Sequence, residues 1–238
     1  MRLDISEIVT AFPDFRVALV VAEDLEIRPE RQAELAALIA EREAETRRRW
    51  GATELSEIPG VAAWRRAYRA FGIKKTSYRS SVERLVKNVL ADRPLPAINS
   101  FVDAYNAVSL THVLPLGADD IDRIAGDLAF RFARPGDSFF DMAAGEDGAG
   151  ASAEDPPKEG EVVYADAEKV LCRRWNWRQD ARSLVTPETR RAVVTLQANG
   201  EGALEAAIDD LVDLAGRFSA ARIRVAIADR AAQSVENV

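Results

Sequence analysis

Apolar and polar residues alternate along this chain with two periods, one near two and one near three and a half. The switches between them mark out its elements. "FRVALVVAED" at 15–24 is a short Val-rich run that suits a buried strand. "RPERQAELAALIAEREAETRRRW" after it has helical periodicity, with Pro29 near its start and Glu and Arg recurring at spacings that support a solvated face. "PGVAAWRRAYRAFG" predicts a second helix stopped by Gly72. "SSVERLVKNVL" predicts a third, in which Ser80 and Glu83 have capping-box spacing. "INSFVDAYNAVSLTH" is a fourth, ended by Pro115 with Gly117. Leu128, Phe130 and Phe132 then alternate with polar residues ahead of Pro135-Gly136, as in a half-buried strand entering a hairpin. "EVVYAD", "KVLCRRWNW" and "RRAVVTLQA" read as strands, "EGALEAAIDDLVDLAGRF" as an amphipathic helix, and "RIRVAIA" as a last strand. The order has no βαβα rhythm, so the expectation is an α/β chain of the mixed α+β kind, with central mixed β-structure and flanking helices. Residues 143–160 have the composition of a loop, either functional or merely mobile.

Composition narrows the chemistry. The 238 residues, 47% of them hydrophobic, can build one sizeable core. We expect a single unit over 1–238, with 1–59 a possible extension packed on a 60–238 core. No stretch approaches about 18 consecutive apolar residues, and Asp4 and Glu7 stand where a secretory signal needs an apolar run, so the expectation is a cytoplasmic protein with no membrane contact. Cys172 is the only cysteine and His112 the only histidine. A disulfide within the chain, a thiolate zinc cluster and a two-His metal site are all excluded by that count. A net charge of −7 argues against bulk attraction to phosphate, yet the basic residues cluster at 65–69, 74–75, 173–178 and 190–191, which still allows a basic face.

Three segments stand out. Asn99, Asp103 and Asn106 fall at i, i+4 and i+7, on one face of the fourth helix. Asn99 suits a cap and Asp103 a salt bridge. Asn106, mid-helix among apolar residues, requires partners for a carboxamide, either internal or a ligand. In "RRWNWR", strand alternation would set Arg174, Asn176 and Arg178 on one face and Arg173, Trp175 and Trp177 on the other. The tryptophans then either close a core or stack on bases, with the arginines holding phosphates or pairing with acids. Lys74, Lys75, Tyr78 and Arg79 form a basic and aromatic loop ahead of a helix N-terminus, a place that welcomes anions but equally a plain solvated turn.

The order of these pieces carries a resemblance. "LPAINSFVDAYNAVSLTHVLPLGADDIDRIAGDLAFRFARPGDSF" resembles the B3/B4 domain of the phenylalanyl-tRNA synthetase β subunit, whose pattern is roughly R-P-I-N-N-V-V-D-x-T-N-Y-V-M-L-E-x-G-Q-P-L-H-A-F-D. The match has no gap from Asn99 to Asp120. "VVYADAEKVLCRRWNWRQDARSLVTPETRRAVV" is similar in layout to that domain's second half, and the likeness covers about residues 60–200. It implies a free-standing protein of this domain type that hydrolyses the ester of mischarged tRNA, with no metal or other cofactor and with the aminoacylated tRNA 3′ end as partner. Asn106 matches the motif's pocket asparagine, Tyr105 replaces the threonine before it, and Gly117 stands where the motif has the histidine of "PLHAF". On this reading Asn106 is the carboxamide donor or water-orienting group and Asp103 a weaker candidate for polarising water. Tyr105, Gly117, Asn99, Asn176, Trp175 and Trp177 would surround the substrate, while Arg174, Arg178, Lys74, Lys75 and Arg79 would hold the RNA. A non-catalytic tRNA-binding module and a small-metabolite-binding regulatory protein are the rival readings.

Overall fold

The computed structural model describes residues 1–74, 77–142 and 154–236. In chain order the first half holds β1 (Arg2–Asp4), α1 (Ser6–Val9), β2 (Phe15–Glu23), α2 (Ala33–Trp50), α3 (Pro59–Ala70), α4 (Ser81–Leu90) and α5 (Ser100–His112). The second half holds β3 (Leu116–Asp120), β4 (Leu128–Phe132), β5 (Val162–Ala165), β6 (Val170–Arg173), β7 (Arg178–Gln179), β8 (Ala192–Asn199), α6 (Leu204–Ser219), β9 (Arg222–Ala228) and β10 (Ser234–Glu236). The mixed α/β class read from the pattern is the one observed.

Two sheets form, with strand orders β3-β8-β2-β9 and β10-β1-β4-β5-β6-β7. The Val-rich β2 is buried along nearly all its length because it lies between β8 and β9 and is antiparallel to both. Among the described residues the only parallel strand pairing joins β1 to β4. β1 and β2 are thus interior strands of the two sheets, and residues 1–59 are woven into the same β-structure as the rest. The core between the sheets is aromatic. Phe15 of β2 meets Phe130 of β4 at 5.2 Å, and Trp64 of α3 meets Trp175 at 5.2 Å, both edge to face.

Several local expectations need correction. "RRWNWR" is not one strand: β6 ends at Arg173, the chain turns through Arg174 and Trp175 with φ of 49° and 68°, and Arg178 pairs back with Arg173. Left-handed backbone is costly for such side chains. The Trp175 indole, fully buried against Phe12, Phe15 and Trp64, supplies the compensating contact. α5 ends at Val113, itself left-handed at φ 53°, and Gly117 lies inside β3 rather than at the helix stop. Ser80 caps α4 by accepting the Glu83 N–H at 3.4 Å, yet the Glu83 carboxylate does not reach back. It is held instead by Arg65 and Arg79. Pro29 precedes α2 by several residues, and the sheet edge β10 follows the strand expected to be last. Much of the 143–160 loop lies outside the described residues.

Candidate functional site

Strand alternation and helix spacing bring five strands and two helices around one cavity of about 240 Å3. In β3, Gly117 and Asp119 are two apart and therefore point to the same face. β8 pairs Gly117 with Thr195, so Thr195 and Gln197 continue that wall. The opposite wall comes from the other sheet, where Tyr164 of β5 is opposite Cys172 of β6, and Cys172 opposite Gln179 of β7. Val102, Tyr105 and Asn106 of α5, spaced i, i+3 and i+4, close a third side. Ser81, Arg84 and Leu85 of α4 and the hairpin's Trp177 and Arg178 lie at the rim, with the exposed apolar side chains of Ile98 and Met142.

The polar groups here differ sharply in how they are used. Asn176 is spent: its Oδ1 accepts from the Tyr68 hydroxyl at 2.9 Å, and its Nδ2 donates to Gln197 Oε1 at 3.0 Å. Gln197 in turn donates to Thr195 Oγ1 at 3.2 Å. This buried relay fixes one wall, with every carboxamide in it oriented by the next. Asn106 is half-buried, and among the described residues its carboxamide has no hydrogen-bond partner. Tyr164 is buried with its hydroxyl unpartnered, and the Trp177 indole N–H and Ser81 hydroxyl are also buried without partners. Groups left this way inside a protein are the exception.

Asp119 is the titratable group of the cavity. Burial pushes its carboxyl up to about 7, against the lowering effect of hydrogen bonds from Ser183 and Gln179. Both bonds go to Oδ1, at 2.6 and 2.8 Å. Burial also raises Tyr105, with the Asp119 and Asp103 charges adding to it, and raises Tyr164 and Cys172 for the same first reason. Tyr105 and Tyr164 therefore stay phenols and Cys172 stays a thiol at neutral pH. Held as the thiol, Cys172 is a weak nucleophile at neutral pH.

The remaining sequence candidates fall elsewhere. Asn99 caps α5, accepting the Val102 N–H at 2.9 Å. Asp103 is fully buried, accepting from Arg31 Nε at 2.8 Å and from the Ile98 N–H at 2.9 Å, and it does not line the cavity. Its shared face with Asn106 holds as helix geometry, but the first turn of that face is consumed by the segment entering the helix. Trp175 lies in the aromatic core, because the turn reverses the alternation that would have aligned it with Trp177. The Arg174 guanidinium is sandwiched 3.8 Å from the Tyr78 ring centroid and 4.3 Å from that of Trp177, almost wholly shielded from water. Arg178 donates to both Asp141 oxygens and Arg79 to Glu83. Lys74 is exposed, and Lys75 lies outside the described residues. His112 pairs with Asp210 at 3.0 Å, away from the cavity. That bond and those from Arg42 outweigh burial to hold the Asp210 carboxyl below its usual range.

A family model described as the B3/4 domain matches residues 63–207, well over half of the chain. The chain belongs to the B3/4 domain family. No curated relative matches it. Among solved structures, this B3/4 chain is similar to an N-terminal fragment of the phenylalanyl-tRNA synthetase beta-subunit from Pyrococcus horikoshii, at 12% identity and a TM-score of 0.47. That likeness covers 93% of this chain and 50% of the fragment, so the B3/4 protein spans half of the fragment's length. Within the matched residues fall α5, β3 and the hairpin, which between them supply most of the cavity. Among the described residues no cluster of three His, Cys, Asp or Glu side chains is placed to hold a metal ion. No described helix is long and apolar enough to cross a membrane.

Asp119 is the site residue that sequence reasoning passed over. The available signal was a carboxylate two residues from Gly117, and so on the same strand face, in the otherwise apolar run that ends in a second aspartate, "LPLGADD". Its burial is set by β8 and by the Leu184 bridge on its far side, contacts that are distant in sequence.

Proposed function

We propose that the cavity receives the aminoacyl group of a tRNA 3′ end and that the protein hydrolyses the ester joining the two. The observation that supports this most is the uncommitted Asn106 carboxamide facing a cavity smaller than the roughly 300–1,000 Å3 pockets that take drug-sized molecules. An aminoacyl group fits such a space while its nucleotide stays outside, against Ile98 and Met142 at the rim. An aminoacyl ester is already labile, so orienting water and stabilising the developing oxyanion suffices to accelerate its cleavage. Asn106 provides two N–H donors for that purpose, and one well-placed donor contributes about 3–4 kcal/mol to the barrier. Asn176, consumed by Tyr68 and Gln197, serves as a fixed wall rather than a donor.

A specific observation favours a second reading, a binder of free amino-acid-sized molecules. Of the residues expected to grip the RNA, Arg79, Arg174 and Arg178 are each occupied within the chain, while Lys74 is exposed and Lys75 lies outside the described residues. A deacylation panel separates the two readings, with each aminoacyl-tRNA in turn presented to wild type and to Asn106→Ala. Turnover of at least one charged tRNA, falling about 100-fold or more in the variant, supports hydrolysis. Turnover of none rejects it, and salt-insensitive binding of free amino acids would then establish the second reading.

A further inference from the structure

Every other buried carboxylate among the described residues has a cation within 4.0 Å, as Asp103 has Arg31, Glu161 has Arg173 and Asp166 has Lys169. Asp119, only 3% exposed, forms no ion pair with the described residues. Its Oδ1 takes both hydrogen bonds, from Ser183 and Gln179, and its Oδ2 takes none from the described residues. A buried carboxyl without a cation beside it keeps its proton rather than carry an unpaired charge, and it ionises in place when a cation arrives next to it. The carboxyl lies in the cavity wall, and Tyr164 in the facing sheet brings a second unsatisfied polar atom to the same space.

We propose that Asp119 is the anchor for an ammonium group, and that the cavity takes molecules carrying a free amine next to an uncharged carbonyl. Resting on the function proposed above, this names the substrate class as aminoacyl esters with an unblocked α-amine, and excludes N-acylated ones. A free amino acid, with its own carboxylate beside the amine, is a poorer ligand than its amide or ester, because among the described residues the cavity offers that second charge no free cation. Arg178 at the rim is engaged by Asp141, and Arg84 beside it also has a partner within the chain.

Cation binding shifts Asp119 towards its ionised form, so a proton leaves on binding. The groups facing it are Tyr105 from α5, Tyr164 from β5 and Cys172 from β6, with Lys169 and Asp180 further off. The first three stay neutral through pH 8, which leaves Asp119 as the source of that proton.

The test is titration calorimetry at pH 6 with a panel of amino-acid amides and their N-acetyl counterparts, each in two buffers of different ionisation enthalpy. The expected result is binding of at least one amide with release of close to one proton, no binding of its N-acetyl form, and at least tenfold weaker binding to Asp119→Asn. The buffer comparison uses wild-type protein alone and stands whether or not the variant folds. Equal binding of amide and N-acetyl forms, or amide binding without proton release, overturns the assignment. If neither form binds, the assignment also fails. Deacylation of charged tRNA, measured separately, then shows whether the hydrolytic reading survives it.

Discussion

The first and second turns of α5 carry the same kinds of side chain and use them in opposite ways. At its start, Asn99 and Asp103 satisfy main-chain N–H groups and the Arg31 guanidinium, and nothing polar is left over. One turn later, Asn106 meets the cavity with its carboxamide unmatched, beside a Tyr105 that burial keeps protonated. The difference lies in what each turn faces: the first meets the Ile98 N–H of the incoming segment and the Arg31 guanidinium, the second two sheet walls whose polar groups bond mainly to each other. Committed groups report on folding and uncommitted ones on ligands, and substitution separates the two.

The largest effect falls on the committed turn. Asp103→Ala leaves Arg31 and the Ile98 N–H without an acceptor, and about 3 kcal/mol or more of stability is lost, read as a lower urea midpoint. Asp119, opposite the uncommitted turn, comes next. Its folded value near 7 lies above the ordinary carboxylate value, so the folded state holds a proton that the unfolded state has given up. Stability therefore falls as pH rises from about 4 to about 7 and levels off above. Between pH 5 and 8 wild type loses roughly 2 kcal/mol more than Asp119→Asn, and equal slopes in the two proteins would remove Asp119 as the group responsible. Asn99→Ala, which deletes a helix cap, costs about 1 kcal/mol by chemical denaturation and leaves ligand binding untouched. Asn106→Ala has the smallest effect on stability, within about 0.5 kcal/mol, since no bond is lost. If it unfolds the protein as readily as Asp103→Ala does, the contrast between the turns is wrong.

Those contrasts track what the chain reveals by itself. Period and caps located β2, α3, α4 and α5, because an apolar run, a helical period and a capping serine are local signals. The Asn99 cap and the Asp103 ion pair were legible for the same reason: each uses neighbours within a few residues or an obvious surplus of arginine. The hairpin was not legible. Nothing in "RRWNWR" announces two consecutive left-handed residues without glycine or asparagine, and the turn is imposed by burial of Trp175 among rings from α3, β2 and the segment before it. β1 and β10 escaped notice because three-residue strands have no period to read. Asp119 escaped because its isolation from any cation is a property of the assembled walls.

Gly117 has a further consequence. A Cβ built there meets nothing within 4 Å, and its backbone is ordinary extended strand, so a larger residue enters without strain. Alanine, serine or valine at this one position would trim the chamber a methyl at a time while β3 keeps its register. The size of the accepted side chain is thereby adjustable by single-codon changes, a dial that selection can turn without rebuilding the barrel of contacts behind it.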